Sequence, residues 1–193
     1  MQFLDLDECQ EWSVAHGYGL RRDLPLPEAR GVVRATVRMP KEDPPSRAMA
    51  AALQRALGSW DEMLVWVAQT WVYGHRDEIY DMESALELAG EDRSREELFG
   101  TLLTPDDVLT FRRILLAACD IPWFVYFLPA HADDRVPLRW ARLTWDGYVR
   151  VTSSVPDGVD EFAAEMRRLG YTPVYGRRED EGPWEVEGES PGG

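Results

Sequence analysis

The chain has 193 residues, of which 45% are hydrophobic and 29% charged, with 35 acidic and 21 basic side chains and a formal net charge of -14. This length suits one domain with a real hydrophobic core, and the composition excludes a collagen-like or wholly disordered chain. The negative charge also argues against binding of DNA or RNA through the phosphate backbone, because like charges repel.

Cysteine usage and hydropathy predict a cytoplasmic protein that does not enter a membrane. Cys9 and Cys119 are the only cysteines. They leave a single bridge open but form no disulfide framework, and each lies in apolar sequence where a thiol acts as a small core residue. No basic segment followed by an apolar stretch begins at Met1, so we expect no signal peptide. The longest apolar stretch, 114–130, is interrupted by Asp120 and two prolines and is too short to span a bilayer.

The N-terminal part of the chain predicts two helices with a strand between them. Asp7 is expected to cap a first helix that ends near Gly17. Residues 31–39 alternate between apolar and polar side chains, as in a strand with one buried face. Ser46 should cap a second helix that stops at Gly58. The polar face of the strand, which we expect to be solvated, carries Arg34, Thr36 and Arg38.

The middle of the chain predicts a central strand followed by two helices. Residues 63–72 are apolar on both faces and rich in β-branched and aromatic side chains, which favours a buried strand, although a buried helix has the same pattern. Residues 77–89 have helical spacing. Ser94 and Glu97 form a capping box for a short helix that should end at Phe99.

The segment Thr104-Pro105-Asp106-Asp107 is the clearest helix start in the chain. A hydroxyl cap, a proline in the first turn and two acids at the positive end of the helix dipole coincide there. This helix should extend to about Ala118. Residues 121–128 are then apolar on both faces and predict a second buried strand, with Pro122 at its beginning.

The C-terminal part predicts a hairpin, a helix and an edge strand. Residues 138–144 and 148–153 flank an Asp-Gly pair that favours a tight turn. A last helix covers 157–169, and 172–175 can add a short edge strand. From Arg177 onward the chain carries six acids against two arginines, a formal charge of about -4, and ends in Pro-Gly-Gly.

The order of these elements predicts an α+β fold with a mixed, mainly antiparallel sheet of about five strands and helices mostly on one face. We expect one domain over residues 1–176. Residues 177–193 should form an acidic, disordered tail, with Trp184 as its one candidate for docking.

Two tryptophan-containing segments are similar to segments of a known family. The first is Asp7-Glu8-Cys9-Gln10-Glu11-Trp12 followed by His16-Gly17, and the second runs from Trp60 to Val67 with Trp71. Together they resemble an uncharacterised bacterial protein family with a Cys-Glu-x-Trp helix and a Trp-x-x-Cys-Leu-Leu-Trp-Val-x-x-Trp segment. The resemblance covers roughly residues 4–153. Residues 74–78 and Thr144-Trp145 depart from the family's pattern. The resemblance implies one folded domain, and the family has no known activity.

Three arrangements could carry catalysis, and none of them is complete. His75-Arg76-Asp77 echoes the catalytic loop of protein kinases, but Met82 stands where that loop needs Asn, so a polar turn is favoured. Cys9 and His16 lie two helical turns apart, roughly 10 Å, and cannot touch. We therefore expect no catalytic residues and no cofactor.

The third arrangement is a loop that suits a divalent metal. Asp120, His131, Asp133 and Asp134 supply the carboxylate and imidazole ligands that Mg²⁺, Mn²⁺ or Zn²⁺ accept. Their spacing matches neither a zinc finger nor a metalloprotease helix, so a solvated loop is the simpler interpretation. A small metal-dependent hydrolase remains the alternative function.

The acidic surface gives the working hypothesis, a non-catalytic module that binds another protein with a basic surface. An immunity-type or inhibitor-type partner of a basic toxin or nuclease is the most concrete version, since complementary charge speeds such association. Solvated helix faces that only keep the protein soluble would have the same composition. The candidate partner-binding residues are Asp77, Glu78, Asp81, Asp107, Trp60 and Trp145. A structural subunit that self-associates into an oligomer or filament is a further alternative.

Overall fold

The computed structural model describes residues 1–18, 33–38, 45–69, 87–88, 90, 100–120, 124–133, 139–144 and 147–177. These residues form an α+β structure, so the predicted fold class is confirmed. The four helices within these ranges are α1 (Leu6–Ala15), α2 (Pro45–Leu57), α3 (Val108–Asp120) and α4 (Pro156–Arg168). The eight strands are β1 (Gln2–Leu4), β2 (Val33–Arg38), β3 (Glu62–Gln69), β4 (Gly100–Leu103), β5 (Phe124–Ala130), β6 (Arg139–Leu143), β7 (Tyr148–Ser153) and β8 (Val174–Arg177).

All eight strands belong to one sheet in the order β1-β4-β3-β5-β6-β7-β2-β8. Every pairing between these neighbours is antiparallel, so the described sheet is antiparallel rather than mixed. It has eight strands, more than the five or so that we predicted. The segment after Asp61 is a strand rather than a buried helix. It occupies the centre of the sheet as β3, between β4 and β5.

One face of the sheet is covered by α2, α3 and α4. The odd-numbered side chains of β3, such as Met63 and Val65, face these helices and are buried. So are the core-facing side chains of α2, which are Met49, Ala52, Leu53, Ala56 and Leu57. Gly58 and Gly170 follow α2 and α4 with positive φ angles of 74° and 89°, where glycine is strongly favoured. The predicted helix stop at Gly58 is therefore confirmed, and Gly170 ends the last helix in the same way.

The other face of the central strands is covered by α1 and Tyr18. Leu64 and Trp66 of β3 are buried there, in a second cluster that includes Cys9 and Tyr18. Burial on both faces explains why the β3 sequence shows no polar alternation.

The N-terminus of α1 differs from the sequence prediction. Asp5, and not Asp7, is the cap: its Oδ1 accepts a hydrogen bond from the backbone N–H of Glu8 at 2.9 Å. The Glu8 carboxylate in turn accepts from the backbone N–H of Asp5 at 2.8 Å, which completes a capping box. The cap lies at Asp5 because β1 ends at Leu4. Asp7 is left in the exposed first turn.

Two strands and one burial assignment were not predicted correctly. The short strands β1 and β4 are absent from the sequence prediction because each gains its hydrogen bonds from a distant segment. Arg34 was expected to be solvated, yet it is only 8% exposed. Alternation assigns a side chain to a face of the sheet but does not say what else covers that face.

Several predicted elements lie outside the described residues. These are the helix over 77–89, apart from Glu87 and Leu88, the short helix to Phe99, Pro122 and the tail beyond Arg177. The helix start at Thr104 is confirmed, with a 3-10 turn over Pro105–Asp107 that leads into α3. The hairpin of β6 and β7 and the edge position of β8 are also confirmed.

Tyr18 joins β5 and β6 where the two strands separate. Only Val125 to Phe127 of β5 pair with β6. Pro129, which has no N–H, lies beyond these pairs and therefore does not interrupt the ladder between β5 and β6. The Tyr18 hydroxyl donates to the carbonyl oxygen of Pro129 and also lies 3.2 Å from that of Arg139. Burial raises the pKa of this hydroxyl above its ordinary range.

Gly100 is a point where α1 packs closely on the sheet. A Cβ atom on Gly100 would lie 2.2 Å from the Sγ of Cys9 and 3.1 Å from a methyl carbon of Leu64. Cys9 is fully buried and forms no disulfide. The contact therefore requires a residue without a side chain at position 100.

We expect Gly100→Ala to lower the free energy of unfolding by about 1–3 kcal/mol, measured by urea denaturation, because the added methyl group overpacks the core. Cys9→Ala in the same chain should restore part of this loss, since it removes the clashing sulfur. Cys119→Ala, at another buried thiol, is the control and should restore none. Equal effects of the two cysteine changes in the Gly100→Ala background would contradict the contact.

We expect Tyr18→Phe to lower the free energy of unfolding by about 1–3 kcal/mol near pH 8, because two strand carbonyls lose their donor. The unfolded tyrosine ionises near pH 10, while the folded one stays protonated, so the wild type loses this stability as the pH rises above that value. The difference between the two proteins should therefore shrink between pH 8 and pH 11 in urea titrations. A constant difference would show that the hydroxyl is not protected from ionisation.

Candidate functional site

The structure describes two of the six predicted partner-binding residues. Asp107 lies at the start of α3, and Trp60 lies just before β3. The other four, Asp77, Glu78, Asp81 and Trp145, lie outside the described residues, so their role stays a prediction.

The Asp107 carboxylate is engaged in capping. Its Oδ2 accepts hydrogen bonds from the backbone N–H and the hydroxyl of Thr104, each at 2.9 Å, and lies 3.0 Å from the amino group of Met1. The backbone hydrogen bond from Thr104 is the main reason that the pKa of Asp107 lies below its usual value. A partner would have to compete with these contacts, and Asp107 is therefore a weak choice for an interface.

Trp60 is half-buried, as the sequence predicts for a tryptophan at a strand end. Its ring packs against the helix-side core and meets Phe111 edge-on at a centroid distance of 5.5 Å. Most of its contact is thus structural, although part of the indole stays accessible.

The predicted metal ligands are only partly described. His131 follows β5, and its Nε2 is buried and has no hydrogen-bond partner among the described residues, whereas Asp133 is exposed. Asp134 and the side chain of Asp120 lie outside the described set. Among the side chains that are described, no three of the His, Cys, Asp and Glu type come together as a metal site. The metal-dependent alternative stays a prediction.

The exposed face of α1 is an acidic surface that the sequence analysis did not single out. The α1 surface, as we call it, consists of Asp7, Glu11 and Val14, all exposed on the side of the helix opposite the buried Cys9. Glu8 is also exposed, but its carboxylate is engaged in the capping box. Val14 is 57% exposed and supplies an apolar group among the carboxylates. The helix contains no basic residue, so nothing within it neutralises this charge.

An aromatic pair on another side of α1 is fixed in place by hydrogen bonds. The rings of Trp12 and His16 stack with their centroids 4.1 Å apart. Trp12 Nε1 donates to the carboxylate of Glu62 at 3.0 Å, and His16 Nε2 lies 4.0 Å from the same carboxylate. Tryptophan is among the residues most enriched at interface anchors.

The acids of α4 are partly neutralised, in contrast to those of α1. Glu165 lies 2.8 Å from Arg168 and 3.1 Å from Arg55, and the hydrogen bond from Arg168 is the main reason that its pKa is lowered. Arg167 adds a second cation to the last turn. Of the four helices described, α1 alone has acidic residues and no basic one.

A set of arginines on the α1 side of the sheet was also missed from sequence. Arg142 of β6 lies directly opposite Arg150 of β7 in the register of the hairpin. Arg150 donates to the hydroxyl of Thr36 at 3.1 Å, and Arg142 lies over the ring of Phe124 at 5.3 Å. Opposed like charges are unfavourable in a sheet. The predicted hairpin register could have revealed this pair.

Comparisons with known proteins identify no relative. No protein-family model matches the chain, and neither the curated proteins nor the solved structures give a match. The resemblance to an uncharacterised bacterial family therefore stays a prediction. None of the helices described here is both long and apolar enough to cross a membrane.

We expect Asp107→Asn to lower the free energy of unfolding by about 0.5–2 kcal/mol at pH 7, because the cap loses its charged acceptor. Asp106→Asn is the control, since Asp106 is exposed in the same turn. A carboxylate whose pKa is lowered on folding stabilises the protein above its unfolded pKa and loses this effect as the pH falls. The cost of Asp107→Asn should therefore shrink below about pH 4 in denaturant titrations. An equal cost for Asp106→Asn would contradict the assignment.

Proposed function

We propose that this protein is a non-catalytic module that binds a basic surface of another protein through the α1 surface. The observation that carries this proposal is the exposed row of carboxylates on α1, without a neutralising cation in the helix and with Val14 among them. An immunity-type or inhibitor-type role toward a basic toxin or nuclease, in the cytoplasm, is the specific form that we propose.

The electrostatic part of this surface would act mainly on the rate of association. Complementary charges steer two proteins together and raise the association rate at low salt, whereas desolvated apolar and aromatic contacts supply most of the affinity. In this arrangement Asp7 and Glu11 attract the partner, and Val14 contacts it. The acids Asp77, Glu78 and Asp81 remain candidates for an extension of the same interface.

The proposal can be tested by affinity purification of the full chain from its native cell, followed by mass spectrometry. We compare the wild type with Asp7→Lys/Glu11→Lys. The matched control is Asp157→Lys/Glu161→Lys, since both pairs join a first-turn acid to an exposed acid four residues later. Each double substitution raises the formal net charge by 4, from -14 to -10.

We expect a basic partner to be recovered with the wild type and the α4 control, and at least tenfold less of it with the α1 variant. With the purified partner, the association rate should fall with added salt for the wild type. Equal losses in both variants would indicate a general charge effect and contradict the proposed surface. Recovery of the chain alone, or only as its own oligomer, would also contradict the proposal.

The purified protein also distinguishes the metal-dependent hydrolase from the binding module. That hypothesis requires stoichiometric divalent metal in the purified protein, or a thermal shift with Mn²⁺ or Zn²⁺ that is lost in His131→Ala and Asp133→Ala. The binding module requires neither result.

A further inference from the structure

An arginine-lined groove lies between α2 and α3, on the helix-covered side of the sheet. Its volume is about 680 Å³, within the range of ligand-binding pockets. The arginine groove, as we call it, has Arg47, Arg55 and Arg112 among its lining residues, and none of the described residues that line it is acidic. Its apolar lining includes Ala51, Leu115 and Leu116. An occupant that fits this lining combines negative charges with an apolar side chain.

Neighbouring side chains orient two of these arginines. Arg112 Nε donates to Gln54 Oε1 at 3.1 Å across the groove, and Arg55 pairs with Glu165 at 3.1 Å. Arg47 is exposed. The groove is therefore a local concentration of positive charge in a chain whose formal net charge is -14.

The C-terminal segment of the same chain has the complementary composition. Residues 179–187 read Glu-Asp-Glu-Gly-Pro-Trp-Glu-Val-Glu, with Trp184 and Val186 set between carboxylates. The tryptophan can cover apolar side chains such as Leu115, while the flanking acids meet the arginines. Attachment to the same chain raises the effective concentration of such a segment to about the millimolar range, so individually weak contacts suffice.

The sheet register places the start of this segment in the same row as a residue next to the groove. Arg177 of β8 pairs with Val33, Val33 pairs with Ser153, and Ser153 pairs with Arg139. Arg177 and Arg139 therefore lie in one row, three strand spacings or roughly 14 Å apart. The guanidinium of Arg139 lies near Gly58, where a Cβ atom would be 3.6 Å from it, and Gly58 lines the groove.

The chain between Arg177 and Trp184 is long enough to span the distance from Arg177 to Arg139. Six residues, 178–183, separate them, and six extended residues span about 20 Å. We infer that residues Glu181–Glu187 bind in the arginine groove of the same chain, with Trp184 on its apolar lining and the carboxylates beside Arg47 and Arg112.

Disulfide trapping in the full chain tests this inference. Ala51→Cys places a thiol at an exposed groove position, and Val186→Cys places one in the acidic segment. The native thiols are 0% and 3% exposed and should not compete. Under mild oxidation of dilute protein, we expect an intramolecular bridge to form at least tenfold faster than in the control pair Val14→Cys/Val186→Cys, whose first thiol lies on α1.

Charge reversal shows whether the arginines hold the segment. Arg47→Glu/Arg112→Glu in the trapping pair should slow bridge formation about tenfold. Arg38→Glu/Arg113→Glu, at two exposed arginines that do not line the groove, should leave it unchanged. Equal rates for the two cysteine pairs, or for the two reversals, would overturn the inference. Bridges that form only between differently tagged chains would overturn it too, because they would assign the groove to a segment of another molecule.

Discussion

The central constraint on this fold is a pair of neighbouring strands, β3 and β5, that are apolar on both faces. An antiparallel sheet can leave one face to water, but the centre of this one cannot, since Leu64 and Trp66 are buried opposite the helix-covered side. The cover on that second side comes from α1, a helix of 10 residues. Isolated helices of this length are marginal in water, so α1 depends on its capping box and on the packing of Cys9 against Gly100. The acidic surface is thus positioned by the same packing that covers the central strands.

The parts of the fold that could be predicted from sequence are those determined by residues close together in the chain. The α3 start at Thr104, the glycine that follows α4 and the hairpin of β6 and β7 all depend on short local patterns. The strands β1 and β4 have three and four residues, too few for alternation to be recognised, and the pairing of Leu4 with Gly100 joins distant segments. Asp5 and Asp7 are equally good caps by residue type, and the choice between them follows from where β1 ends.

The candidate site was less predictable than the fold, because a charge in the sequence does not reveal which atoms already neutralise it. Asp107 looks like a free acid by composition, yet Thr104 supplies two hydrogen bonds to its carboxylate. The spacing of Asp7 and Glu11 places them together on a helix, away from the side of Cys9, and the burial of Cys9 confirms that their face is exposed. The contrast with α4, where arginines partly neutralise Glu165, depends on tertiary contacts with Arg55 that local spacing does not contain.

The net charge of -14 does not reveal how charge is distributed between the acidic α1 surface and the basic arginine groove. The α1 surface and the arginine groove lie on opposite sides of the sheet, roughly 20 Å apart if each helix layer packs about 10 Å from it. This is more than twice the Debye length of about 8 Å at physiological ionic strength, so the two surfaces act almost independently. An acidic C-terminal segment that is not bound in the groove would compete with α1 for the same basic partner. Its binding in the groove would remove that competition, which makes the two proposals compatible in one molecule.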